Sequence, residues 1–278
     1  MTIVPAEIAS ALGAPYVPGW ACRDSEPLQR ALNLLYDYAG DIETKVLHRT
    51  RLNLFTYVMR RLVLGGMPAR RAQALDVGCN AGYYSKLISD FGFESVLGFD
   101  IDAGAIEMAS RFLASDASGH RREFQVRDAL DLDVRAAYDF ILCTEVIEHT
   151  SQPERVIANV CAALAPGGIL VVTLPNAVSI PYAWASLSNL LKGRPADPML
   201  REHLSFPFPR SLRLFRRNGL RLLETHGANF LLPQPVVRAL FPIPGFGGVH
   251  RVSDWLARGG PLHYVSQFLC LVLRQDGP

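Results

Sequence analysis

The sequence is nearly without lysine: Lys45, Lys86 and Lys192 are the three among 28 basic residues, and arginine supplies the rest. With heavy alanine use beside it, this reads as GC-rich coding, so the arginine count itself carries no functional weight. The five cysteines (Cys22, Cys79, Cys143, Cys161 and Cys270) form no C-x-x-C pair and leave an odd one over. Three of them sit in apolar runs that read as core, which excludes a disulfide framework and leads to the expectation of a reduced, cytoplasmic protein. No uninterrupted apolar run approaches the roughly 18 to 20 residues of a spanning helix. The apolar stretch 230–249 is broken by Pro233, Pro235, Arg238, Pro242 and Pro244. The N-terminus lacks a basic start and carries Glu7 inside its weakly apolar run, so no secretory leader is expected. Internal repeats and low-complexity tracts are absent. No basic cluster is interleaved with stacking aromatics, so nucleic acid is not expected as a partner.

What is present is the make-up of a folded chain: 278 residues, 49% hydrophobic and 19% charged. The net charge of +2 is unevenly spread. Residues 1–71 hold 9 basic and 6 acidic side chains, residues 72–175 hold 7 and 15, and residues 176–278 hold 12 and 5. We expect three regions with different tasks: an N-terminal helical cap over 1–71, a ligand-binding core over 72–175, and a lid insert with two last strands of the same domain over 176–278.

Residues 25–64 are predicted helical, with Leu28, Ala31, Leu32 and Leu35 and then Leu52, Phe55, Val58, Met59 and Leu62 at helical spacing. From residue 73 the period changes. Strands are predicted over 74–77, 95–99, 123–126, 140–143 and 168–173, with helices over 83–91, 103–113 and 153–164 between them. Such alternation means βαβ units around a parallel sheet. The run Ile169-Leu170-Val171-Val172 suits a strand buried on both faces. After an irregular stretch over 175–209 that contains the apolar segment 180–191, we predict a helix over 210–218, a strand over 220–225, a proline- and glycine-rich loop over 228–262 with one short helix at 252–257, and a last strand over 267–273. The expected architecture is α/β, a Rossmann-like sheet of seven strands.

In such a sheet, ligands bind at the carboxyl ends of the strands. The first end reads Leu75-Asp76-Val77-Gly78-Cys79-Asn80-Ala81-Gly82. Gly78 and Gly82 permit a tight turn and close backbone approach, and the helix that follows presents free N–H groups. A dinucleotide site would need G-x-G-x-x-G to seat its pyrophosphate. Here Asn80 stands at the second glycine position, and a carboxylate at Asp76, just before the turn, would repel a diphosphate. Asp100, at the end of the second strand, is placed to accept the hydroxyls of a ribose. A ribose acceptor beside a phosphate-free, carboxylate-bearing loop fits S-adenosylmethionine, whose sulfonium and amino group are cationic.

These segments, LDVGCNAGYYSKLI, VLGFDID, FQVRDAL, LCTEVIEH and APGGILVVTLPN, resemble in order the motifs of class I S-adenosylmethionine-dependent methyltransferases. TRLNLFTYV over 50–58 and EVIEH over 145–149 are similar to the O-methyltransferases of ubiquinone biosynthesis and their broader relatives. The resemblance implies cofactor contacts from Arg51, from the loop Asp76, Gly78, Cys79, Asn80 and Gly82, from Asp100 and Ile101 at the ribose, from Asp128 and Ala129 at the adenine, and from Thr144. The family's loop usually reads G-C-G-x-G, so Asn80 is a departure, tolerable because asparagine is among the better residues at positive φ. The resemblance also implies a divalent metal, magnesium or zinc, on Glu145, Glu148 and His149, which would share a face if helical geometry began at Glu145. The same string occurs in metal-independent relatives, where His149 would belong to the substrate pocket.

Methyl transfer to oxygen needs alignment, a dry pocket and a place for the acceptor's proton. His149 and His203 are the candidate bases. His48, His120, His226, His250 and His263 have no constellation around them. Residues 176–206, with Tyr182, Trp184, Leu187, Leu190 and Leu191, are expected to form a lid over a small or lipidic acceptor. Their basic neighbours Lys192, Arg194 and Arg201 also allow peripheral contact with an anionic membrane. The acceptor atom stays open between oxygen and nitrogen at this stage. A nicotinamide dehydrogenase and a catalytically inactive cofactor-binding protein are the alternatives from other classes.

Overall fold

The structure is a computed structural model and describes residues 42–67, 72–113, 121–176, 178–193, 208–228 and 261–276, with the isolated positions 239 and 256. Seven strands form one sheet: β1 Gln73–Val77, β2 Ser95–Asp100, β3 Arg121–Val126, β4 Tyr138–Thr144, β5 Leu164–Pro175, β6 Leu220–Ala228 and β7 Phe268–Gln275. Their order across the sheet is β3-β2-β1-β4-β5-β7-β6. β1 to β5 run parallel, and β7 is antiparallel to both β5 and β6. The chain winds outward in one direction from β1 to β3 and in the other from β4 to β5, so the switch point lies between β1 and β4, where the fold opens a crevice.

Six helices accompany the strands among the described residues: α1 Ile42–Leu64, α2 Tyr83–Asp90, α3 Ala103–Leu113, α4 Pro153–Ala163, α5 Ile180–Leu191 and α6 Phe208–Arg217. Alternate residues of each inner strand face opposite layers. Phe140 and Leu142 join Leu54, Val58 and Met59 of α1 and Leu87 and Ile88 of α2 in one core cluster. Leu75, Val77, Ile141 and Cys143 join Val156, Ile157 and Val160 of α4 and Phe215 of α6 in the other. Cys79, Cys143, Cys161 and Cys270 are buried free thiols. Burial pushes Cys161 and Cys270 up to about 12, so neither supplies a thiolate.

The strand and helix positions expected from hydrophobic period are met, with two instructive differences. β5 begins at Leu164 rather than at Gly168, because Gly167 (φ 79) marks a register shift inside the strand and not its start. The apolar segment inside the expected irregular stretch is helix α5. It is capped by Ser179 Oγ, which accepts from Tyr182 N–H at 3.3 Å, and has proline in its first turn. The expected helix around Leu28 to Leu35, the segment 194–207 with His203, and the expected helix at 252–257, except its position 256, lie outside the described residues.

Helix α1 is tied to the edge strand β6. Arg61 donates Nε and Nη2 to the two oxygens of Glu224 at 2.8 and 2.9 Å. Glu224 also holds His226 Nε2 at 2.8 Å, and the His226 ring stands edge-on to Tyr57. The Arg61 fork keeps the Glu224 carboxyl below its usual range. Because Arg61 is half exposed, this clamp contributes on the order of 1 kcal/mol or less. Its consequence is positional: the same helix carries Arg51 to the carboxyl end of β4 and the amino end of the antiparallel β7. No described helix is long and apolar enough to cross a membrane.

Candidate active site

The loop after β1 is built for close approach. Gly78 and Gly82 have φ of 70 and 84, and Asn80 sits at φ 47, the left-handed geometry that asparagine tolerates. Asn80 then supports its own turn, its Oδ1 accepting the Ala81 N–H at 2.6 Å. Gly78 and Cys79 both donate backbone N–H to Phe99 O at 2.9 Å, which ties the loop to the end of β2. A Cβ on Gly78 would collide with Val146 Cγ2, and one on Gly82 would lie 2.8 Å from Phe124. Gly98 is the glycine sequence reasoning missed: a Cβ there would come within 2.8 Å of Ser85 Oγ and 2.9 Å of Cys79 Sγ. Cys79 is buried and its thiol is pushed up by desolvation, so it contributes backbone rather than side-chain chemistry.

Asp100 closes the loop. Its Oδ2 accepts Asn80 N–H at 2.8 Å and its Oδ1 accepts Asp102 N–H at 2.9 Å. A carboxylate has about four acceptor positions, so two remain for a diol. Ile101, 72% exposed, stands beside it as an apolar surface. Asp100 is paired in register with Val126 at the end of β3, and just beyond lies Asp128, whose Oδ1 accepts Leu130 N–H at 2.9 Å. The side chain of Asp128 therefore shapes the turn that carries Ala129. The ends of β1, β2 and β3 thus place Gly78, Asp100 and Asp128 along one edge of the sheet. The cradle could seat a nucleoside: glycines where backbone must approach, and a half-buried acid where a ribose would lie.

Asp76 is placed otherwise than expected. It is 1% exposed and lies beneath the loop, where Ser85 Oγ donates to its Oδ2 at 2.6 Å. It braces the first turn of α2 rather than lining the ligand's surface. Burial raises its pKa from 3.8 to about 7, with Ser85 opposing the rise and Asp100 adding to it. The native state therefore keeps a proton that the unfolded chain releases near pH 4, and stability falls as pH rises from about 4 to 7. At 1.36 kcal/mol per pH unit this removes on the order of 4 kcal/mol. Asp76→Asn should flatten that part of the profile, which urea midpoints measured between pH 4.5 and 7.5 will show. An unchanged slope in the variant would refute the assignment.

The fourth strand end carries the acids. Thr144 pairs with Thr173 of β5, and Glu145 N–H donates to Thr173 Oγ1 at 3.1 Å. Arg51 Nη2 donates to Glu145 Oε2 at 3.0 Å while its guanidinium lies 4.6 Å over the Phe268 ring. Glu148 is 9% exposed and has its pKa raised to about 9, first by burial and then by Glu145. Glu145 Oε1 and Glu148 Oε2 are buried without another partner. A protonated Glu148 has a donor to offer its neighbour, which two ionised carboxylates would not.

The helical face expected for Glu145, Glu148 and His149 does not exist. Glu145 has φ 54, in the left-handed region, and Ile147–His149 is one turn of 3-10 helix. Glu148 consequently points inward and His149 lies at the surface. Among the described residues no three His, Cys, Asp or Glu side chains are placed to hold a metal. The donor set therefore does not fit a divalent cation, because Glu145 is already engaged by Arg51. Beyond Gly98, sequence reasoning missed Ser85, which braces Asp76, and Phe268, on which Arg51 rests. It also missed Asn176, whose Nδ2 donates to Tyr264 O and Ser266 O at 2.8 Å and so pins the turn before β7. Only Asn176 had a local signal, a buried-type polar residue directly after a strand.

Comparisons with known proteins bear on the family and the fold. A family model described as a methyltransferase domain matches residues 47–225. A ubiquinone biosynthesis O-methyltransferase of Xanthomonas euvesicatoria pv. vesicatoria is 28% identical over 191 residues, 68% of this chain and 77% of that protein. One from Coxiella burnetii (strain Dugway 5J108-111) is 28% identical over 216 residues, 74% and 86%. The fold is shared with a magnesium protoporphyrin IX methyltransferase from Synechocystis PCC 6803 with bound S-adenosylhomocysteine, at a TM-score of 0.61, 16% identity and coverage of 90% and 93%. It is also shared with a putative sarcosine dimethylglycine methyltransferase from Galdieria sulphuraria, at 0.57, 16%, 81% and 86%. Because the family model covers more than half of the chain, and the named relatives and the shared fold point the same way, the chain belongs to the methyltransferase-domain family and is an S-adenosylmethionine-dependent methyltransferase.

Proposed function

We propose that the acceptor atom is a hydroxyl oxygen on a small or lipidic molecule. The observation that carries this reading is the Glu145–Glu148 carboxyl pair, held by Arg51 at the end of β4, in a segment that touches the cofactor loop through Val146. S-adenosylmethionine, when bound, supplies a methyl group already activated on a sulfonium. An oxygen nucleophile must lose its proton to something close, and a carboxylate at this strand end can take it. In the balanced step the acceptor's O–H bond breaks and its proton passes to the pair. The new O–CH3 bond forms as the S–CH3 bond breaks, and the electron pair stays on sulfur. Asp100 and the glycine loop orient, and the Arg51–Phe268 stack fixes the carboxylate. The names of the ubiquinone-pathway relatives agree with a hydroxyl acceptor.

The lipidic side of the reading is supported by α5. Ile180, Trp184, Leu187 and Leu191 recur at helical spacing, with Leu190 beside them, and all are exposed on a helix without a charged residue. That row suits a prenylated or acylated acceptor entering over the end of β5. The test is turnover with a water-soluble phenol, the same phenol carrying a prenyl tail, and a matched aromatic amine, with the methylated atom assigned by NMR. We expect an O-methyl product, and a Leu187→Glu variant that raises KM for the tailed phenol alone. Methylation of the amine only would sink the hydroxyl reading, and no product from any acceptor would favour an inactive binding protein.

A further inference from the structure

We infer that the Arg51 guanidinium occupies the place a divalent cation would take beside Glu145 and Glu148, so this chain works at that cluster without a metal. The inference deepens the methyl-transfer reading and rests on it only for its catalytic meaning.

Three features of the cluster carry it. The first is occupancy. A divalent cation needs several oxygen or nitrogen donors converging on one point. Glu145 Oε2 is already spent on Arg51 Nη2 at 3.0 Å, and both side chains are largely buried, at 20% and 13% exposure. Arg51 is also held from the other side, its guanidinium 4.6 Å over Phe268, so it does not swing clear without losing that stack. The second is direction. The left-handed Glu145 and the single 3-10 turn after it send Glu148 into the protein and leave His149 at its surface, so the third donor faces away. The third is charge: Arg51 already balances Glu145, so a dication added here would sit beside a guanidinium in a poorly solvated space.

The chemical meaning is that the acceptor's proton leaves by a carboxylate and not by Lewis-acid activation of its oxygen. It also follows that the affinity for metal is latent. Removing the Arg51 charge leaves two acids at one site with no counterion.

Calorimetry on the full chain, dialysed against EDTA, tests this with magnesium, manganese and zinc chlorides as probes and S-adenosylhomocysteine titrated in a parallel cell. The wild type should show no saturable metal heat, and its nucleoside affinity should be the same with and without EDTA. Arg51→Ala should bind manganese roughly tenfold or more tightly than wild type, a gain that Arg51→Ala combined with Glu145→Gln should lose. If Arg51→Ala does not fold by circular dichroism, Arg51→Gln, which keeps the stem, takes its place. Saturable metal binding by the wild type that Glu145→Gln removes would overturn the inference, and so would a folded Arg51 variant with no gain in metal affinity. Wild-type protein that binds neither metal nor S-adenosylhomocysteine would instead refute the cofactor assignment and leave the metal inference standing.

Discussion

Asp100→Ala is expected to weaken S-adenosylhomocysteine binding by roughly a hundredfold to a thousandfold, the loss of charge-assisted hydrogen bonds to a ribose at about 1.5–3 kcal/mol each. Two effects add. The variant cannot accept the ribose hydroxyls. It also frees Asn80 N–H and Asp102 N–H, whose acceptors are the two oxygens of this one carboxylate. Asn80 occupies a left-handed position, so the loop that loses its acceptor is also a strained one. The fold should survive, because Asp100 sits at the rim of the sheet and none of the core clusters includes it. Calorimetry against circular dichroism separates the two: affinity gone with structure intact supports the ribose role, and affinity within a few-fold of wild type denies it.

Gly78→Ala should be strongly destabilising for two separable reasons. The backbone there has φ 70, which costs an L-residue about 1–2 kcal/mol. The new Cβ would also run into Val146 Cγ2, and overpacking typically costs a further 1–3 kcal/mol. Chemical denaturation should show a loss of roughly 2–5 kcal/mol, together with weakened cofactor binding because the loop and the Glu145 segment are forced apart. Val146→Ala in the same chain relieves the collision and leaves the φ penalty. The double variant should therefore recover about half of the stability. Recovery of none would mean that the collision is absent in solution, and recovery of all would mean that the backbone is not strained.

Both positions were legible in the sequence for one reason: glycine and aspartate at strand ends act through backbone geometry and one local carboxylate. The sheet was legible on similar grounds. Runs such as Ile169 to Val172 and the change of hydrophobic period after residue 73 are local signals that the sheet's order then respects. The acidic cluster was not. Reading E-x-x-E-H as a helical face assumed regular backbone from Glu145 onward, whereas Glu145 is left-handed and only a single 3-10 turn, Ile147–His149, follows. Asp76 was read as a ligand group because a carboxylate before a loop looks the same whether it faces out to the ligand or in to Ser85; burial, a property of three dimensions, decided it. The partners of Arg51 were beyond reach for a plainer reason. Glu145 lies 94 residues away and Phe268 lies on the last strand, so no spacing rule connects them.

The most direct measurement of the central claim is a paired titration of the wild-type chain with S-adenosylhomocysteine and with NAD in the calorimeter. One molecule of the first should bind per chain, and the second should give no heat. Heat from NAD, or silence from both, would contradict a nucleoside site that accepts a ribose and rejects a diphosphate.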